Sequence, residues 1–257
     1  MSDQDAVNAA ALARQIEPIA VLSWPARETL SLDGWLLRFT IGFTHRGNSV
    51  ATVSFVGRHT VTAVERVESE YQKRALLPMF QVASAVAPID LGETLLDRGY
   101  EVVTPTCVLV GEPVIVRDRL PSPGDARVSR EPDDGFALLV LEGSRSVEDG
   151  RERMEILARI KADRICVTLE ERGQAVACGM GVLIDGNVGI NMMRTTPASR
   201  RRGHARRVLG TIAEWACNKG ASRLYLSVER QNGPAIALYR GASFEPGYSY
   251  RYYRKRT

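Results

Sequence analysis

A chain of 257 residues, 44% hydrophobic and 25% charged, has room for one large domain or two modest ones and the balance of an ordinary soluble globular protein. Its longest apolar runs are broken by charge before a membrane span is complete, and Met1-Ser2-Asp3-Gln4-Asp5 lacks the basic opening and apolar middle of a signal peptide. A cytoplasmic location and no membrane partner are therefore expected. The net charge of +4, nearly all of it arginine, points to an acidic ligand. Nucleic acid is disfavoured, because no long basic stripe is interleaved with aromatics. Cys107, Cys166, Cys178 and Cys217 form no Cys-x-x-Cys pair and no cluster with histidine, which predicts reduced, mostly buried thiols and no metal site.

In chain order, Ala6, Ala9, Ala10, Leu12, Ala13 and Ile16 fall at helical intervals and predict a short amphipathic helix that ends before Pro18. After Trp24-Pro25, Leu30 and Leu32 and then Trp35 to Thr40 predict two strands joined by an Asp33-Gly34 hairpin turn. A loop from Ile41 to Asn48 leads to a strand over Ser49 to Ser54. A helix from about His59 to Lys73 is marked by Val61, Ala63, Val64, Val67 and Tyr71. Met79 to Val82 is a short strand, Leu91 to Arg98 a helix stopped by Gly99, and Glu101 to Val110 a long strand.

Gly111 to Asp125, with Pro121, Pro123 and Gly124, is the best linker. Beyond it the expected order is a strand over Arg127 to Glu131, helices over Asp133 to Ser144 and Val147 to Ile160, and strands over Cys166 to Glu170, Ala175 to Ile184 and Asn187 to Arg194. The turns Glu171-Arg172-Gly173 and Asp185-Gly186 make these three strands an antiparallel meander. Ala205, Val208, Leu209, Ile212, Ala213 and Ala216 then form one apolar stripe of a helix from Gly203 to Asn218, ended by Lys219-Gly220. A strand over Arg223 to Glu229, a helix over Pro234 to Arg240 and a strand over Phe244 to Tyr253 close the chain.

The chemistry gathers where the meander meets the helix at Gly203. The first turn of a helix leaves backbone N–H groups without intrahelical partners and adds partial positive charge, so main chain alone can bind phosphate oxygens. Gly203 and the small Ala205 leave the approach clear, and Arg200, Arg201 and Arg202 can add charge-assisted contacts at the rim. A solvated basic face at a helix start is the competing reading.

Arg200-x-x-Gly203-x-Ala205, with Pro197 just upstream, resembles the acyl-CoA signature of the GCN5-related N-acetyltransferases (GNAT), Gln/Arg-x-x-Gly-x-Gly/Ala. Leu224 to Tyr239, with Asn232 and Tyr239 seven residues apart, resembles that family's next strand and helix. The two motifs stand in the right order over roughly residues 126 to 257. The first half repeats the order strand, strand, helix, strand, helix, strand, yet Phe55-Val56-Gly57-Arg58-His59-Thr60 stands where its cofactor loop should be. Trp24-Pro25, Gly34 to Arg38, Gly42-Phe43-Thr44-x-Arg46-x-Asn48-Ser49 and Phe80-Gln81-Val82 resemble tandem bacterial acetyltransferases whose amino-terminal module is such a partial copy.

The resemblance implies a mixed α+β fold of two GNAT-like modules, each a mostly antiparallel sheet with flanking helices and a splayed parallel strand pair. It divides the chain into an N-terminal helical segment (1–22), a degenerate module without cofactor motif (23–115), a linker (116–125) and a catalytic N-acetyltransferase domain (126–257). The activity it implies is transfer of an acetyl group from acetyl-CoA, as acyl donor and without metal, to a small-molecule or peptide amine by direct attack in a ternary complex. The alternative is a non-catalytic acyl-CoA-binding regulatory protein, and a homodimer is left open.

For the residues, the resemblance implies that main chain around Met193, Arg194 and Thr195 pairs with the pantetheine arm, and that Arg200, Arg201, Arg202, Gly203, His204 and Ala205 hold the phosphates. His204 would act through its backbone. Asn232 can contact the arm or simply cap the helix that follows. Tyr239 resembles the family tyrosine that protonates the departing thiolate, and a buried aromatic is the other reading. Where one subgroup places its base this chain has Ser227, which can at most hold a water. Glu229, on the same face of the strand as Ser227, is the nearest carboxylate and the candidate base, against a role in a salt bridge. Ser243 stands where the family usually has glycine.

Overall fold

The computed structural model of the chain describes residues 3–121, 124 and 126–256, and it divides into two units that do not follow a single cut in the sequence. One comprises Met1–Val108, Glu229–Gln231 and Gly247–Thr257, and the other Leu109–Val228 and Asn232–Pro246. The end of the chain thus returns to the first unit. Among the described residues no helix is long and apolar enough to cross a membrane.

The first unit begins with helix α1 (Asp3–Leu22), which runs through Pro18 instead of stopping before it. The proline ring is on the exposed side, as is Arg14, whose carbonyl loses its partner and can turn to water. Ile16, Glu17, Ile19 and Val21 are buried, and their packing outweighs the roughly 3 kcal/mol that an interior proline costs. Strands β1 (Glu28–Leu32) and β2 (Trp35–Phe39) meet at Asp33 and Gly34, with φ of 50° and 84°, as the hairpin signal predicts.

Strand β3 (Val50–Ala51) is much shorter than the predicted Ser49 to Ser54. The Thr52 hydroxyl donates to the Gln81 carbonyl at 2.9 Å, and the chain then leaves the ladder to cover the hairpin turn. There the Val56 N–H bonds Asp33, and a Cβ at Gly34 would stand 1.7 Å from the Ser54 carbonyl oxygen. Helix α2 (Thr60–Gln72) connects β3 to the parallel strand β4 (Met79–Val82), and helix α3 (Leu91–Asp97) leads to β5 (Tyr100–Gly111). The sheet order is β1-β2-β3-β4-β11-β5, in which β11 (Glu245–Lys255) lies antiparallel to β4. Trp35, Leu37, Val64, Val67, Tyr71, Phe80, Leu91 and Leu95 make its core.

Beside that core lies a buried polar cluster. Arg38, 2% exposed, donates through Nε to the Ser49 carbonyl (2.9 Å) and through Nη2 to Ser49 Oγ (2.7 Å) and Gln81 Oε1 (2.8 Å). Gln81 Nε2 and the Tyr248 hydroxyl each donate to one oxygen of the buried Glu17 carboxylate, both at 2.7 Å. The residues that carry the tandem resemblance are absorbed in holding the loop after β2. Asn48 Oδ1 accepts the N–H groups of Thr40 and Gly42, its Nδ2 donates to the Thr44 carbonyl, and the Arg46 guanidinium stacks on Trp24 at 4.4 Å.

The second unit contains helix α4 (Pro113–Asp118), where the turn-forming residues predicted only a linker. Pro113 suits a first helical turn, and the fully buried Val116 helps seat α4 against α7 (His204–Asn218). Strand β6 (Arg127–Ser129), helices α5 (Asp134–Glu142) and α6 (Val147–Arg159), and strands β7 (Asp163–Glu171), β8 (Gln174–Ile184) and β9 (Asn187–Thr195) follow. Asp133 and Ser146 cap α5 and α6 through their side chains. The sheet order is β10-β9-β8-β7-β6, antiparallel from β9 to β6, with β10 (Arg223–Glu229) parallel to β9. Each unit is therefore a mixed α/β assembly around a mostly antiparallel sheet with one parallel pair, the fold class expected.

Candidate active site

The second unit is built around an irregularity in β9. Its ladder with β8 pairs Cys178 with Arg194 and Met180 with Asn191, which sets Gly179 alone against Met192 and Met193. This is a β-bulge, and Met192 takes a left-handed φ of 55° at it. Gly179 makes room for it, since a Cβ there would stand 2.5 Å from Met193 Sδ and 2.7 Å from Val208 Cγ1. On the other edge, β10 pairs with β9 only from Asn187 to Gly189. Beyond Gly189 no pairing with β10 continues among the described residues, so main chain from Met193 to Thr195 can meet an amide-bearing ligand on that edge.

Past Thr195 the chain makes a single 3-10 turn at Pro197–Ser199, and exposed Arg200, Arg201 and Arg202 follow. Arg201 has φ 61° and Gly203 φ 84°. A Cβ at Gly203 would meet nothing within 4 Å, so its backbone conformation, not crowding, is what calls for glycine. The first intrahelical bond of α7 runs from the Arg207 N–H to Gly203, at 3.1 Å. The N–H groups of His204, Ala205 and Arg206 are left open at the positive end of the helix.

The loop is held from below. Arg202 makes a two-pronged ion pair with Glu171 at 2.8 and 3.0 Å, and His204 Nε2 lies 3.3 Å from the same carboxylate without the alignment of a hydrogen bond. The His204 ring is only 3% exposed, so a ligand meets its main chain. Composition could not reveal Glu171, because it reaches the loop only through the β7–β8 hairpin.

Helix α8 (Gly233–Gly241) carries Tyr239 and begins at Asn232, whose Oδ1 accepts the Ala235 N–H at 3.2 Å as a cap. Tyr239 is buried with Phe244 packed edge-on at 5.8 Å. Burial pushes its phenol up to about 12, against the pull of the Arg194 charge, so it carries its proton throughout the neutral range. Ser243 takes φ 65° and lets the Phe244 N–H close on the Tyr239 carbonyl at 3.0 Å, which preserves the turn usually made with glycine. On β10, Tyr225 is buried, and Ser227 and Glu229 along the same face are exposed; Glu229 falls with the first unit. Burial also pushes Cys166 and Cys178 up to about 12, so both thiols keep their protons near neutrality.

A family model described as the probable histone acetyltransferase Rv0428c C-terminal matches residues 10–253. The uncharacterized N-acetyltransferase YobR of Bacillus subtilis is 29% identical over 249 residues, covering 95% of this chain and 98% of that protein. The probable histone acetyltransferase Rv0428c of Mycobacterium tuberculosis is 29% identical over 230 residues, covering 87% and 68%. A solved GCN5-related N-acetyltransferase from Kribbella flavida superposes with a TM-score of 0.72 at 14% identity, over 96% of each chain. A tandem GNAT protein from the clavulanic acid biosynthesis pathway does so with 0.60 at 11% identity, over 93% of this chain and 87% of that one. These two likenesses are of fold.

Proposed function

The chain belongs to the acetyltransferase family of the Rv0428c C-terminal region, and on that premise we propose that it transfers the acetyl group of acetyl-CoA to an amine by direct attack in a ternary complex. The observation that carries this reading is that β9 leaves its pairing with β10 after Gly189 and bulges at Met192 and Met193, shortly before the open N-terminus of α7. An acyl-CoA has the matching shape: an amide-bearing arm for the parted strand and phosphates for the helix.

In this reading main chain at Met193, Arg194 and Thr195 binds the arm, and main chain from Gly203 to Ala205 binds the phosphates with Arg200, Arg201 and Arg202 at the rim. The amine nitrogen attacks the thioester carbonyl carbon, whose oxygen is stabilised by main-chain N–H of β9. As the intermediate collapses, the carbon–sulfur bond breaks and the thiolate takes the Tyr239 hydroxyl proton. The nitrogen gives up its proton to Glu229 or to a water held by Ser227, two residues back on the same strand. Holding both reactants in one cleft supplies most of the acceleration.

Thermal unfolding with acetyl-CoA, free CoA and a nucleotide control tests the donor site. At a hundredfold over the dissociation constant, bound acetyl-CoA adds about 2.7 kcal/mol of stability, and an unmoved transition would sink the proposal. Tyr239→Phe should cut kcat by about 100-fold, at the low end for a lost general acid, and leave acetyl-CoA affinity within about twofold. Free-thiol release measures the first and titration calorimetry the second; unchanged kcat removes Tyr239 as the acid.

A further inference from the structure

Arg194 sits at the end of β9, half-buried and poorly satisfied. Its Nη1 reaches only the carbonyl of its neighbour Met193, at 3.4 Å, and its buried Nε donates to nothing. Met193 points to the α7 face, against Gly179 and beside Val208, so the alternation of the strand sends Arg194 to the opposite face. There it lies at the end of α5, where a Cβ at Gly143 would stand 3.0 Å from its Cδ and Nε.

The charges around it leave a deficit. Arg153 on α6 repels it, and the carboxylate that acts on it, Asp149, is 2% exposed and already accepts Arg153 Nε at 2.9 Å and the Arg145 N–H at 3.0 Å. Desolvation and Arg153 both push the Arg194 guanidinium below its ordinary pKa. The Tyr239 phenol feels the same charge, which puts the deficit within electrostatic reach of the proposed acid. A planar guanidinium with unused N–H groups is completed by two coplanar oxygens, the geometry of a carboxylate. The phosphates of the donor have their own seat at Gly203.

We propose that Arg194, with Arg153 beside it, receives a carboxylate of the acceptor, and that the acceptors are amino carboxylates whose amine is presented to the thioester beside Tyr239. This rests on the acetyltransferase reading of the same site. The inference adds a specificity role for a side chain whose main chain alone was assigned to the donor.

The test follows thiol release from acetyl-CoA by the full chain with the common L-amino acids and their carboxamides, and with amines that carry no carboxylate. The acids should be used with kcat/KM at least about 100-fold above their amides, as loss of a two-pronged charged contact demands. Arg194→Met should raise KM for the preferred acid by a similar factor with a smaller change in kcat, and Arg194→Lys should recover part of it. The acetyl-CoA stability shift serves as the control that each variant folds and keeps its donor site, and Arg194→Gln, which keeps polar contacts and should lose the preference for acids to the same degree, replaces Arg194→Met if that variant fails the control. Equal use of acid and amide, no transfer to any acid, or a preference for acyl donors with a terminal carboxylate that Arg194→Met abolishes would each overturn the proposal. An absent shift in the unaltered chain overturns the donor-site reading instead, so the two failures are told apart.

Discussion

Gly203→Val abolishes measurable acetyl-CoA binding, at least about a 100-fold loss of affinity, in a protein that still unfolds cooperatively. At φ 84° an L side chain costs about 1–2 kcal/mol, and a β-branched one more. That strain is tolerable in the free protein, because a Cβ at this position meets nothing within 4 Å. The same empty space is where phosphate oxygens would approach the open N–H groups of His204, Ala205 and Arg206. Losing two charged hydrogen bonds at about 1.5–3 kcal/mol each corresponds to at least a hundredfold. Calorimetric titration beside thermal unfolding separates the two effects. Retained affinity would move the phosphate site away from this helix, and Gly203→Ala should fall between the two.

Arg38→Met destabilises the protein by about 3–5 kcal/mol at neutral pH, the cost of taking a charged donor away from buried acceptors that it satisfies. The variant removes the guanidinium donors to the Ser49 carbonyl and hydroxyl, leaves Gln81 Oε1 with only the long Tyr252 hydroxyl contact at 3.5 Å, and takes from Glu17 a positive charge that partly offsets its burial. The loss depends on pH, and its sign follows from Glu17. Burial raises the Glu17 carboxyl above its ordinary 4.5 in the folded state, so its protonated form favours folding below 4.5, and this is lost as pH rises through the raised value. Without Arg38 that value rises further, since one of the two positive charges that lower it is gone. Unfolding midpoints of the variant and the parent should therefore converge as pH falls toward 4.5 and part as it rises. A pH-independent gap would show that Glu17 does not feel Arg38. Because Glu17 accepts from Tyr248, the same cluster ties α1 to the last strand of the chain, and both ends should unfold together.

Local signals in the sequence were decisive where the determining physics is local. Asp33-Gly34 and Asp185-Gly186 adopt the paired positive φ angles their residue types favour, Arg172-Gly173 adopts them with glycine at the second place, and each sets the register of its hairpin. The stripe from Ala205 to Ala216 became α7 within a residue of its predicted start, and Gly203 stands left-handed at its N-cap. The family resemblance singled out Asn232, and the structure has its side chain capping α8 as the local sequence allowed.

Tertiary structure decided what depends on partners far along the chain. Helix α1 passes Pro18 because Glu17 and Ile19 find buried partners, and β3 shrinks to two residues because the chain beyond it is needed over the hairpin turn. The final strand is inserted beside β4, a pairing that its own alternation cannot specify. Arg194 reads in sequence as one more arginine near a basic loop. Only the β9 bulge, the missing side chain at Gly143 and the prior commitment of Asp149 to Arg153 turn it into an uncompensated charge. Dihedral preference and periodicity act over a few residues and are written in them, whereas burial and charge balance are sums over everything the fold brings near.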